Sequence, residues 1–171
     1  MSVLSDLKQA LGIGARTNRY RVIIDGVLGG PSGNVVNTLA KETTIPEVSF
    51  NDIEVWGQGK LVTVAGDISY SGTWRVTFYD DEKHTLRGKF LKWMIAIDNA
   101  FKNDSEASSH SDYMTTAKIQ QLSTIDNSVK VTYEFQDIWP KHISGGTMSD
   151  DTPGLLEFTV EFNYSTWKRI D

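Results

Sequence analysis

Ten residues near the C-terminus, Leu155-Leu156-Glu157-Phe158-Thr159-Val160-Glu161-Phe162-Asn163-Tyr164, alternate apolar and polar side chains almost without a fault. Successive side chains of a pleated strand point to opposite faces. Leu156, Phe158, Val160, Phe162 and Tyr164 therefore share one face, and Leu155, Glu157, Thr159, Glu161 and Asn163 the other. Such a run requires a sheet with one face in a core and the other in water.

The rest of the chain supplies more of the same pattern. Tyr20, Val22 and Ile24 share a face of a short run, as do Trp74, Val76 and Phe78, and Val129, Val131, Tyr133 and Phe135. Between Glu47 and Trp56 the alternation changes phase, with Val48 and Phe50 on one parity and Ile53 and Val55 on the other. A bulge near Asn51-Asp52 reconciles the two halves. Gly57-Gln58-Gly59 then reads as a turn into a strand through Leu61 to Ala65. Thr115 to Leu122 and Val129 to Gln136 read as a hairpin.

Only one segment predicts a long helix, about Asp81-Ala100. Leu86, Phe90, Trp93 and Ile97 recur at steps of four, three and four and form a single core stripe. Asp80-Asp81-Glu82 stand where carboxylates complement exposed amides at a helix start. His84 beside them is expected at the surface, with no ligand role. Leu4, Leu7 and Leu11, followed by Gly12 and Gly14, predict a short first helix.

Two stretches break the pattern: residues 26–46, rich in turn-forming glycines and expected as an extended loop or hairpin, and the polar segment 102–112, expected as a loop. The fold class expected is mainly β, an antiparallel barrel or sandwich with one flanking helix, in a single domain over residues 1–171. A chain of this length buries roughly two-thirds of its unfolded surface.

Composition narrows function. Lys and Arg number 17 against 22 Asp and Glu, a net charge of -5, so a protein that grips nucleic acid by neutralising phosphate is not expected. There is no cysteine, hence no disulfide framework and no thiolate metal site. The first residues lack the basic head and apolar run of a secretory signal, and no segment approaches about 20 apolar residues. A soluble, unexported chain without a membrane anchor is expected.

No constellation for catalysis stands out. His84, His110 and His142 are dispersed, and no nucleophile elbow or phosphate loop occurs. The acids at 80–82 are read as a helix cap before a glycosidase pair. The chain is expected to be no enzyme, with no cofactor and no metal. A carbohydrate-binding sandwich is the alternative of another class, using Trp56, Trp74, Trp93, Trp139 and Trp167 as stacking rings. Trp74 and Trp93 occupy core parities, which leaves it few platforms.

Taken together, Gly66-Asp67, the strand ending Trp74-Arg75-Val76-Thr77-Phe78, the Asp81-Glu82-x-His84 opening, Lys89-Phe90-x-x-Trp93 and the stretch from Trp139-Pro140 to Trp167 form an ordered series. In order and spacing it resembles the major tail tube proteins of contractile-tailed, myovirus-type bacteriophages, over about Asn18 to Trp167. The segments 26–46 and 102–112 look longer than that family's pattern.

The resemblance implies a virion tail component assembled in the host cytoplasm, six copies closing into a ring and rings stacking into a hollow tube. It implies as partners the chain itself, a tail sheath protein, a tape-measure protein, a baseplate tube-initiator protein, and genomic DNA that passes through unread. Wall strands at Val48 to Ala65 and Val129 to Tyr164 would present polar parities to the bore. Glu134, Glu157 and Glu161 are the candidate lumen-facing residues, giving a wet and mildly anionic channel. Gly30, Pro31, Asn34, Lys41 and Glu42 are the candidate inter-subunit arm. A tube subunit of a genome-free contractile injection particle, or a baseplate tube initiator, would share the same fold.

Overall fold

In a computed structural model of the chain, the C-terminal alternation becomes strand β8 (Glu157–Asn163), with Phe158, Val160 and Phe162 buried. The structure describes residues 3–12, 14–26, 30–31, 33–70, 72–102, 109–146, 148–149 and 153–171. Ahead of β8 run α1 (Val3–Leu11), β1 (Tyr20–Ile24), α2 (Asn34–Leu39), β2 (Ala40–Thr43), β3 (Val48–Gly57), β4 (Lys60–Tyr70) and β5 (Thr73–Tyr79). Then come α3 (Thr85–Phe101), α4 (His110–Tyr113), β6 (Thr115–Leu122) and β7 (Val129–Ile143), and β9 (Thr166–Ile170) follows β8.

Strand β7 organises the body. Its first half pairs antiparallel with β6 on one side and β9 on the other, and its second half pairs with β8. The change falls at Asp137, whose φ of 56° lies in the left-handed region that Asp tolerates better than most residues. One sheet in the order β1-β6-β7-β8-β5-β2 thus turns a corner, and its two wings face each other across the core. Trp74 of β5 stacks on Phe135 of β7 at 4.6 Å between centroids, which joins the wings. Pro140 lies where that half of β7 is an edge of the second wing and its register with β8 is irregular, the setting in which sheets admit proline.

Helix α3 closes the core from the side. Leu86, Phe90 and Trp93 are fully buried and Ile97 packs partly buried beside them. Phe90 lies among Phe78, Phe158 and Phe162, 5.4 to 6.3 Å between centroids. Each such ring contributes on the order of 1.5–3 kcal/mol by burial. The Trp93 indole donates to the Tyr113 carbonyl at 2.9 Å, fastening α4 against α3.

Three expectations need correction. The long helix begins at Thr85, four residues later than the acids suggest, and ends at Phe101. Asp81 reaches forward to accept from the Thr85 amide and hydroxyl, both at 2.7 Å, while His84 (φ 50°) takes the left-handed turn that precedes the first helical residue. That capping holds the Asp81 carboxyl below its ordinary range, the Thr85 side-chain bond being the main cause.

The second correction concerns residues 26–46, of which 27–29 and 32 lie outside the described residues. Where described, the segment holds helix α2 and edge strand β2, not an extended loop or hairpin. Val36 is fully buried, and burial overrides the β-propensity of valine here. Strand β2 pairs with β5, and the Trp74 indole donates to Thr43 Oγ1 at 2.9 Å.

In the polar segment 102–112, residues 103–108 lie outside the described residues. Its end is helix rather than loop, since the Ser109 amide donates to Asp112 Oδ2 at 2.8 Å at the start of α4.

Candidate assembly surfaces

Strands β3 and β4 pair with each other and with no other strand among the described residues. Their two-residue connection, Gln58-Gly59, has φ of 47° and 75°, the doubly positive pattern of a type I′ turn that suits twisted hairpins. The register breaks between Phe50 and Asp52, at the bulge that the phase change requires. Gly66 faces it, and a Cβ there would sit 2.8 Å from the Asn51 carbonyl oxygen, so the bulge needs a residue without one.

The bulge puts both halves of β3 in phase. Val48 stands opposite Tyr70, Phe50 opposite Ile68, Ile53 opposite Val64 and Val55 opposite Val62, and these pairs form one unbroken apolar face. Those eight side chains are 37 to 61% exposed. A continuous apolar sheet face of that kind marks an interaction surface. The other face is polar over most of its length, with Ser49 opposite Ser69 and Glu54 opposite Thr63, and ends at the tip in Trp56 and Leu61. At the root, Trp167 holds the hairpin to the body, its indole donating to the Glu47 carbonyl at 3.3 Å and its ring edge-on to Tyr70.

The three candidate lumen acids do not share a surface. Glu134 lies on the outer face of the wing formed by β1, β6, β7 and β9, whereas Glu157 and Glu161 lie on the outer face of the other wing. Each is met by a base. Glu134 sits between Lys168 Nζ at 2.8 Å and Lys118 Nζ at 3.2 Å, and those two ammonium groups hold its carboxyl below the ordinary range. Glu157 pairs with Lys41 at 2.6 Å, which raises the lysine, and Glu161 pairs with Arg75 at 2.7 Å. Between Glu157 and Glu161, Thr159 and Thr77 share a hydrogen bond at 3.0 Å. These faces are polar and locally neutralised. By contrast Asp52, Glu54 and Asp67, all on the hairpin, form no ion pair among the described residues.

The candidate arm residues do not project together either. Pro31 is buried, Gly30 half-buried, and Asn34 opens α2, while Lys41 and Glu42 are exposed on the edge strand β2. The projecting element is the β3–β4 hairpin. Its alternation was legible in the sequence; that its apolar face finds no cover among the described residues was not.

Open edges complete the inventory. Among the described residues, β1, β2, β9 and the second half of β7 each have one unpaired side. Helix α1 carries Leu4, Leu7 and Leu11 at 60, 53 and 61% exposure. No group of three metal-ligating side chains occurs among the described residues, and no helix there is long and apolar enough to cross a membrane. His84 is exposed and bonds Asp80. Of the five tryptophans, Trp74 and Trp93 are buried, Trp139 and Trp167 are half-buried and Trp56 is exposed, so the rings do not gather into one sugar-stacking platform.

Residues 15–170 match the family described as phage tail tube protein. The tail tube protein gp19 of Enterobacteria phage T4 is 26% identical over 155 residues, covering 90% of this chain and 91% of that protein. The T6 protein of the same name is 25% identical over the same span. Among solved structures, a chain of the sheath-tube complex of an extracellular contractile injection system, PVC, superposes with a TM-score of 0.66 at 10% identity, covering 99% of both chains. A chain of the anti-feeding prophage baseplate gives 0.64 at 11% identity, covering 91% of this chain and 95% of that one.

Proposed function

The chain belongs to the phage tail tube protein family, and from that premise we propose that six copies close into a ring and rings stack into a hollow conduit for DNA inside a contractile sheath. It is a structural component of the virion tail, of the contractile-phage type. The observation that carries the assembly reading is the β3–β4 hairpin, with one long apolar face that stays exposed among the described residues. Unpaired strand edges and an uncovered sheet face are liabilities in a free chain. Identical neighbours remove both.

In the ring, the hairpin lies against an adjacent copy through its apolar face. Its polar face, with Asp52 and Glu54, turns to the bore. A surface of hydroxyls and unpaired carboxylates repels phosphate instead of binding it, so DNA slides. The acids at 134, 157 and 161, each tied to a base, contribute wetting without net charge. Lys41 and Glu42 act at the open edge of β2, where a neighbouring strand adds.

The protein's role is mechanical, a rigid tube held within the sheath, and it performs no catalysis. Further partners in this reading are the sheath protein, a tape-measure protein within the growing tube and the baseplate initiator. The genome-free particle remains the second reading, supported by the PVC and anti-feeding prophage folds; the sequence likeness to the T4 and T6 proteins favours the phage.

Negative-stain microscopy of the purified protein, dilute and concentrated, tests the reading. Hollow rods are expected on concentration. Compact particles alone would refute it. Lysines at positions 52, 54 and 67 are expected to slow DNA ejection in a salt-dependent way, and unchanged ejection would remove the bore assignment.

A further inference from the structure

Although the chain as a whole carries a net charge of -5, the outer face of the wing formed by β1, β6, β7 and β9 is basic. Lys118 and Lys168 flank Glu134 in one row of that face, and Arg21 stands in the next row beside Gln120. Lys130 lies exposed at the rim, where the β6–β7 register shifts. Two lysines meet one carboxylate, at 3.2 and 2.8 Å, so the cluster keeps a positive charge after Glu134 is neutralised. Arg21 and Lys130 form no ion pair among the described residues. Asp25, just beyond β1, accepts from the Thr116 hydroxyl.

The rest of the face says what those charges can hold. Between and beside the bases lie Gln120, Thr132, Gln136 and Thr166, whereas the aromatic residues Tyr20, Tyr133, Phe135 and Trp167 take the opposite, core parity. A flat sheet face cannot enter a groove to read base edges, and without rings it cannot stack on bases. Phosphate contact is the chemistry left to it. Lys118 and Lys168 stand two strands apart, about 10 Å, a reach of about three phosphates along one strand of a duplex.

The root of the hairpin fixes where this face points. Tyr70 belongs to the hairpin's apolar face, and its ring meets Trp167 edge-on. Trp167 lies on the core side of β9, where Tyr133 packs against it. The hairpin's apolar face therefore continues the core side of the wing, and its polar face continues the outer side. A bore lined by the polar face of the hairpin is lined by the basic face too.

Resting on the tube reading above, we propose that Arg21, Lys118 and Lys168, with Lys130 at the rim, form a phosphate-binding band that touches duplex DNA in the bore, beside the acidic band of Asp52, Glu54 and Asp67. The band offers three unmatched charges, one from the lysine pair and one each from Arg21 and Lys130. So few charges hold a duplex weakly and without regard to sequence. Each copy in the tube repeats them, so advancing DNA exchanges every contact for an identical one. The wall guides the duplex without giving it a preferred stopping place.

Binding of a short fluorescent duplex to the dilute protein, followed by anisotropy across a salt series, tests the band before any tube forms. Log affinity is expected to fall with log salt at a slope of about -2.7, for three phosphates neutralised, and equally for unrelated sequences. Arg21→Glu combined with Lys130→Glu is expected to weaken binding at least ten-fold, while Lys60→Glu at the hairpin turn leaves it within two-fold. No duplex binding at low salt, or binding unchanged in the double variant, would overturn the band. Polyglutamate held more tightly than the duplex would assign the face to an acidic polypeptide and overturn the DNA assignment.

Amine acetylation of assembled rods tests the placement. Lys118, Lys130 and Lys168 are expected to react with a small reagent and to resist the same reactive group carried on a dextran too wide for the bore. Labelling by both reagents would put the face outside and overturn its place in the bore, leaving the tube intact. Failure to form rods at any concentration would overturn the tube reading and the bore placement together, while duplex binding by the dilute protein separately decides the band.

Discussion

Strands β5 and β8 and strands β3 and β4 are two antiparallel pairs with the same alternation and opposite fates. In the first, Trp74, Val76, Phe78, Phe158, Val160 and Phe162 are buried beneath α3 and the opposite wing, and the outward face is tied by Arg75–Glu161 and the Thr77–Thr159 bond. In the second, an equally apolar face stands in water. Alternation specifies that a face must be covered. It does not specify by which molecule.

The sharpest way to break this contrast is to damage each pair in turn. Phe162→Ala in the body is expected to cost roughly 3–5 kcal/mol of folding stability by leaving a cavity among Trp74, Phe90 and Trp93. Denaturant titration measures it, and a loss near zero would mean that α3 does not seat on β8. Val55→Asp combined with Val64→Asp in the hairpin should change monomer stability by no more than about 0.5 kcal/mol, as exposed substitutions do, while abolishing rods. An unfolded variant, or one that assembles normally, would erase the distinction.

Two smaller effects sharpen it. Gly66→Ala forces the bulge apart, since its new Cβ meets the Asn51 carbonyl and Ile53. Rods are expected at a several-fold higher concentration with an unchanged body melting temperature. Acid should act on the body through carboxylates that their partners hold low, Asp81, Asp126 and Glu134; substitution isolates the share of Glu134. Its folded carboxyl titrates below the unfolded value of 4.5, so the stability it contributes is present above that value and is lost as pH falls through the folded one. Thermal melts from about pH 5 to about pH 3 should therefore decline less steeply for Glu134→Gln than for the parent. Equal slopes would show that the Lys118–Glu134–Lys168 cluster does not form in solution.

Much of the body was legible because periodicity reports burial directly. The β8 alternation, the stripe on α3 and the bulge near Asn51-Asp52 all follow from which side chains must share a face. The start of α3 was not legible, because Asp81 caps from four residues away. Helix α2 was hidden because Val36 reads as β-prone, while its setting is decided by a distant contact against the core. The ion pairs that neutralise the outward acids join residues far apart in sequence, such as Glu134 with Lys168 and Lys41 with Glu157, and only sheet register brings them together. The uncovered hairpin face was beyond reach for the same reason: a pattern of side chains records the need for a partner surface, and only the packed chain reveals that the described residues supply none.

Cryo-electron microscopy of the concentrated protein decides whether the hairpin face is an interface. A hollow rod is expected in which Phe50, Ile53, Val55 and Val64 of every copy are buried against a neighbour. A discrete particle without a bore, or a rod in which that face stays open to solvent, would overturn the assignment.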